Sequence, residues 1–360
     1  MIFVSFILFF VILIALVIIF KSLRTNKELN YANPFFYFLS FSILYFGIPA
    51  IFVEEIRFYY EWSFSEQDMI FSNILVILII SVFTFIFYKF RFIHLRYENK
   101  IQVSSIIKLI WLIILFYLMY VINIKFQNNQ LFLNTYYLGT EDTYKLKNIA
   151  YLLITISTLY FSENKSFFVF IPNILVAILD MLEGSRTTAL IALVPIFISL
   201  AIYNKKTYLS WIIVLLSIMI AVGIFRNEYV QNMYDAPAYI SALGEFRETY
   251  ILLPNIISNE DFVGKGNIGN IMSSITIPFL QPLRGELLEV FQYSGSYAAR
   301  LIGRGYGLGN NFLVESIYYG YLLIIVNILL VIFYLYMLHF LIRKVNLPYS
   351  IILISYSVIF

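Results

Sequence analysis

The first twenty residues, Met1 to Phe20, contain no charged side chain and only one polar one, Ser5. A run of this length matches the roughly 20 residues that a helix needs to cross a hydrocarbon layer about 30 Å thick. Comparable runs recur at Pro34 to Val53, Met69 to Tyr88, Ile106 to Ile124, Asn148 to Phe161, Phe167 to Leu182, Thr187 to Tyr203, Tyr208 to Phe225 and Ile317 to His339. A tenth, Pro348 to Phe360, is short for a span and reads as the opening of one that continues past the sequence. Only helices and closed barrels satisfy every backbone group in lipid, so repeated long apolar runs predict an all-α, polytopic transmembrane bundle of about ten spans. Composition agrees: 12% of the 360 residues are charged, about half the share a water-soluble surface carries. The runs between Asn148 and Tyr203 are the shortest, and a re-entrant arrangement there is the alternative.

Orientation follows from where the charges fall. The first run has no basic residue before it, and Lys21, Arg24 and Lys27 follow it, the reverse of a secretory signal. A retained helix with its N-terminus outside is therefore expected. Alternating the runs from that start places 13 of the 24 basic residues and three of the 21 acidic ones inside. The excess of Lys and Arg on one side is the pattern that sets membrane topology, here that of a multi-pass membrane protein. The chain then divides into spans and short loops over 1–225, a large outer segment over 226–316, and C-terminal spans over 317–360.

That outer segment, about 90 residues long, exceeds what a connector needs, and such insertions are usually functional. Its stretches Tyr250 to Ile257 and Ile271 to Leu280 are bounded by prolines, which predicts short helices lying on the membrane surface or dipping into the protein. Its basic residues are five arginines, Arg226, Arg247, Arg284, Arg300 and Arg304, against the single Lys265. Arginine suits forked contact with phosphate or carboxylate. Arg186, at the end of a span, joins the set on the same side. The structural alternatives are that Arg226 snorkels at a span end and that Arg247 forms a local ion pair with Glu245 or Glu248. The loop around Gly305, Gly307 and Gly309 exposes backbone to a phosphate or sugar, or is a flexible return into the last helices. It lacks the lysine and following hydroxyl of a nucleotide-binding loop.

Both histidines, His94 and His339, fall inside, so acid or base chemistry outside rests on carboxylates. Glu248, beside Arg247, and Glu315, where the glycine-rich stretch enters an apolar run, are the favoured catalytic candidates. Glu245, Glu286, Glu289, Asp235 and Asp180 are the others. The absence of cysteine excludes thiol catalysis and thiolate metal sites.

The run Gly305-Tyr-Gly-Leu-Gly-Asn-Asn-Phe-Leu-Val-Glu315, Arg186 within Gly-Ser-Arg-Thr, and the Arg284 to Gly295 spacing within a large late outer loop resemble the Wzy-type O-antigen and capsular polysaccharide polymerases. The resemblance implies a GT-C-like membrane fold and a glycosyltransferase that joins undecaprenyl-diphosphate-linked oligosaccharide repeat units. It implies no metal and no cofactor, membrane lipids around the protein, a chain-length regulator and a flippase as associates, and no nucleic acid. Arg186, Arg247, Arg284, Arg300, Arg304, Gly305, Gly307 and Gly309 would hold diphosphate and sugar, and Glu248 and Glu315 would do the proton chemistry. A lipid-linked sugar transporter is the first alternative. A metal-dependent glycosyltransferase using Glu54, Glu55 and Asp68 is the second.

Overall fold

A computed structural model describes residues 2–25, 31–59, 63–93, 95–96, 102–127, 141–182, 187–204, 237–259, 262–264 and 312–359. The described chain is helical, and its one β feature is an isolated parallel bridge between Arg96 and Asn346. In order, the helices are α1 (Ile2–Thr25), α2 (Pro34–Ile51), α3 (Val53–Tyr59), α4 (Glu66–Lys89), α5 (Ser105–Gln127) and α6 (Glu141–Asn164). They continue with α7 (Ile171–Leu182), α8 (Thr187–Asn204), α9 (Ala238–Ile257), α10 (Phe312–Tyr319), α11 (Leu322–Lys344) and α12 (Leu347–Ile359). Among them α1, α2, α4, α5 and α11 are long and apolar enough to cross a membrane. Phe116, Tyr120, Phe85, Leu329 and Phe333, all on these helices, are each about 60% exposed or more. So much unpartnered apolar surface is costly in water and expected in lipid. This is a helical membrane protein.

The chain divides into two compact units. The first comprises Met1–Leu16, Ser40–Thr84 and Asp235–Phe333, and the second Val17–Leu39, Phe85–Tyr234 and Tyr334–Phe360. In the second, α6, α7 and α8 pack on one another, on α5 and on α12 around Leu153, Ile154, Val176, Leu179 and the small residues Ala150, Ala189 and Ala192. Small side chains let helix backbones approach closely, which lipid-embedded bundles exploit.

Several expected boundaries move, each for a physical reason. The run Pro34 to Val53 is not one regular helix. It is helical to Ser42, widens into a π turn over Ile43–Gly47, and ends at Ile51 before α3. Pro49 has no N–H to give the carbonyl of Tyr45 and its ring crowds that carbonyl, so the preceding turn loosens and the Ile48 N–H bonds to Ile43 instead. Gly47 sits where a Cβ would come 2.9 Å from Ile12 and 3.0 Å from Ile80, which allows α1, α2 and α4 to close on one another. The run from Asn148 belongs to a 24-residue helix that starts at Glu141, longer than expected. Phe167 to Leu182 opens as a 3₁₀ turn over Phe167–Phe170 before α7.

The run Ile317 to His339 is broken. Gly320 has φ +118, outside the helical region, so α10 ends at Tyr319 and α11 starts at Leu322. Asn327 ties the two together, its amide donating to the Phe312 carbonyl at 3.1 Å and the Ser316 hydroxyl at 2.9 Å. Gly320→Val has open space for its side chain and fails on the backbone alone. A loss of about 1–3 kcal/mol is expected, against near-neutrality for Leu322→Val on a side chain 84% exposed. Thermal unfolding in detergent reads the difference.

Candidate functional site

Among the described residues of 226–316, a 20-residue helix stands where a short one was expected at Tyr250 to Ile257, and the stretch Ile271 to Leu280 lies outside the described residues. Pro254 lies inside α9, whose 20 residues begin after Pro237 and run to Ile257. A proline costs a helix about 3 kcal/mol, and here it falls in the last turn of a helix buried on nearly every side. Ile240, Leu243, Phe246, Tyr250, Ile251, Leu252, Leu253 and Ile256 are all buried. From Phe246 to Ile256 every side chain but the half-buried Glu248 is buried, so this part of α9 belongs to a core, the second of the two expected placements. It packs against the π turn of α2, against α3 and against α10.

Three contacts set its register. Phe246 meets Tyr45 of the π turn edge-on at 4.7 Å, and Tyr239 lies 5.6 Å from Phe52. Tyr250, fully buried, donates its hydroxyl to the side-chain oxygen of Asn73 on α4 at 2.6 Å. Burial pushes that phenol well above its usual range, so the group stays protonated and donates. Asn73 in turn donates to the Ala50 carbonyl at 3.4 Å. Tyr250 is therefore a structural bridge, while Tyr239 is half exposed.

Arg247 is the largest fully buried side chain in the described chain. Its Nε and Nη2 both reach Oε1 of Glu248, at 3.1 and 2.6 Å, and the two side chains are 1% and 14% exposed. Neighbouring residues on a helix point about 100° apart, so this contact makes both side chains wrap around the α9 surface. The local ion pair anticipated for Arg247 exists, but it is buried and not solvated. Removing two charges from water costs several kcal/mol per ion, and their mutual attraction offsets much of that without making such a pair a stability device. Ionisable groups inside membrane proteins are costly enough that they usually mark function.

Glu315, half buried, lies in the first turn of α10, the helix that packs on α9. Its helix is anchored by Phe312 against Phe46 at 6.0 Å, by Tyr318 against Phe262 at 4.9 Å, and by the Gly264 N–H donating to the Ile317 carbonyl at 3.3 Å. One unit thus holds Arg247, Glu248 and Glu315 on two packed helices. Arg186, Arg284, Arg300, Arg304, Gly305, Gly307 and Gly309 lie outside the described residues, as do Arg226, Asp235, Glu286, Glu289 and Gly295.

Two other carboxylates cap helices. Asp180, buried at the end of α7, accepts the Ala189 N–H at 2.8 Å and so caps the first turn of α8. Asp68 accepts from the backbone and hydroxyl of Ser65 at 2.8 and 2.7 Å, and the Ser65 hydroxyl accepts the Asp68 N–H, a capping box that starts α4. Among the described residues no three His, Asp or Glu side chains converge as metal ligands would.

Sequence reasoning overlooked Asn73 and Asn173. Each is a lone amide within an apolar run, which lipid tolerates only where a partner helix receives it. No family model, no curated protein and no solved structure matches this chain.

Proposed function

We propose that the chain is a membrane glycosyltransferase that joins lipid-linked oligosaccharide repeat units into a surface polysaccharide. The observation that carries the reading is Arg247, a fully buried arginine held by Glu248, on a helix of the long segment 226–316 that packs beside the helix of Glu315. In the reaction, an acceptor hydroxyl attacks the anomeric carbon of the donor sugar. The bond from that carbon to the lipid diphosphate breaks, and the diphosphate departs with the electron pair. Arginine stabilises the growing negative charge on the leaving diphosphate, and a buried guanidinium does so more strongly than a hydrated one. Glu248 already engages Arg247 and acts as the group that positions it. Glu315 then takes the proton of the acceptor hydroxyl. The resemblance adds undecaprenyl diphosphate as the lipid carrier and Arg186, Arg284, Arg300, Arg304 and the Gly305, Gly307 and Gly309 backbone as further holders of diphosphate and sugar.

A transport reading has its own observation. The π turn at Ile43–Gly47 and the break at Gly320 are interruptions of the kind from which transporters build substrate sites. Surface polysaccharide from cells carrying Glu315→Gln separates the two. A polymerase lacking its base accumulates single repeat units on the outer side and loses long chains by about 100-fold or more. Units retained inside the cell would favour transport. Normal long chains at wild-type protein level would remove Glu315 from the mechanism.

A further inference from the structure

The chain segments that follow α4 and α11 meet in the second unit, in a place that the proposed reaction does not use. Leaving α4, the chain reads Lys89-Phe90-Arg91-Phe92 and continues to Arg96; leaving α11, it reads Arg343-Lys344-Val345-Asn346. Arg96 and Asn346 form the parallel bridge, in which the Leu347 N–H donates to the Arg96 carbonyl at 3.1 Å. Nearer the helices, the Phe90 ring lies 5.6 Å from Tyr336 and 5.9 Å from His339, and Asn33 donates to the Phe90 carbonyl at 2.8 Å. These anchors lay the segment after α4 along the last turns of α11. Lys89, Arg91, Arg96, Arg343 and Lys344 are thereby gathered into one patch, all exposed except the half-buried Arg91.

Five cations in one patch repel one another, and carboxylates would normally offset this. Here none of the five pairs with a carboxylate among the described residues. The sequence has no Asp or Glu between Asp68 and Glu98, and none after Glu315; Glu98 itself lies outside the described residues. The same unit solves the problem differently elsewhere, where Lys108 meets Glu163 at 2.8 Å. In the patch, the charges rest on aromatic rings. The Arg91 guanidinium is 4.5 Å from the centre of Tyr88 and 4.8 Å from Phe92, and the Lys344 amine is 4.1 Å from Phe340. Those three rings are themselves 53%, 51% and 42% exposed.

Exposed rings carrying cations that pair with no carboxylate among the described residues are unfavourable in water and in hydrocarbon alike. At the boundary between them both are satisfied, with the rings at the acyl region and the cations at phosphate depth. A zwitterionic headgroup brings its own ammonium to compete for the phosphate, whereas a net anionic one does not. We propose that this patch is a binding site for the headgroup of an anionic phospholipid in the leaflet where α4 and α11 end. The site depends on residence in a membrane and stands whether or not the chain is a polymerase.

The test is native mass spectrometry of the full-length protein in an uncharged detergent, titrated with phosphatidylglycerol or phosphatidylcholine. Retention of phosphatidylglycerol should exceed that of phosphatidylcholine by about tenfold and fall as salt is raised. Arg96→Gln with Arg343→Gln should lower phosphatidylglycerol affinity by about 25-fold, at roughly fivefold per charge removed. Arg96→Lys with Arg343→Lys should retain it, and Lys108→Gln should change it by less than about twofold. Lys89→Gln with Lys344→Gln, both on exposed side chains, gives an equivalent loss if the first pair fails to fold. Equal retention of the two lipids, a loss no larger than that of Lys108→Gln, or displacement by millimolar inorganic phosphate would each overturn the proposal.

Discussion

Glu248→Ala is expected to destabilise the protein by about 3–5 kcal/mol, and Arg247→Met added to it to restore most of that loss. The reason is an asymmetry in what burial costs. Arg247 is 1% exposed, so deleting the carboxylate that receives two of its N–H groups removes a counter-charge from a guanidinium in the core. Methionine of similar length removes the need for that counter-charge and fills much of the space. Unfolding of the purified protein in detergent, followed by circular dichroism, measures the cycle. Should the double variant be no more stable than Glu248→Ala, the buried charge is not what the pair compensates. Function divides the same variants in another way. On the proposed mechanism the double variant regains stability without regaining long polysaccharide chains, because the group that stabilises the leaving diphosphate is gone. A stable double variant with normal chains would reduce Arg247 to a structural residue.

The second large effect is expected at Asn173, in the second unit, a residue that the proposed chemistry does not use. This fully buried amide on α7 accepts the Ser157 hydroxyl of α6 and donates to the Ala192 carbonyl of α8 at 3.0 Å, so one side chain links three helices. In lipid, apolar side chains gain little by leaving the solvent for a helix interface, which raises the share of stability carried by packing and hydrogen bonds. Interhelical hydrogen bonds there contribute about 0.6–2 kcal/mol each. Asn173→Ala loses two and opens a small cavity, for a cost of about 2–3 kcal/mol. Ser157→Ala loses one and should cost about 1 kcal/mol or less. The same unfolding experiment tests both, and equal costs for the two variants would mean that the link from Asn173 to α8 contributes nothing.

The helices that cross lipid were legible in the sequence because their signal is local. Met1 to Phe20, Met69 to Tyr88 and Ile106 to Ile124 each became a helix within a few residues of the expected bounds. Apolar runs elsewhere were legible as helix but not in their breaks. Gly320 and Pro49 stand openly in the sequence, yet apolarity continues across both, and hydropathy does not register a backbone that has left the helical region. The two candidates Glu248 and Arg247 were named for their chemistry, with no indication that they lie inside the protein.

Sequence alone determined the solvent of this protein and the places where its chain becomes helix. Lipid leaves a backbone no other partner than itself, so about twenty apolar residues suffice to specify a helix without reference to the rest of the chain. Tertiary structure decided the meaning of the few charges. Arg247 is buried because α2, α3 and α10 surround α9, and Asp180 and Asp68 are caps because α8 and α4 begin where they do. Lys89, Arg91, Arg96, Arg343 and Lys344 form one patch because residues about 250 positions apart pair at Arg96 and Asn346. The energy of a charge depends on which distant groups share its surroundings, and those are set by packing.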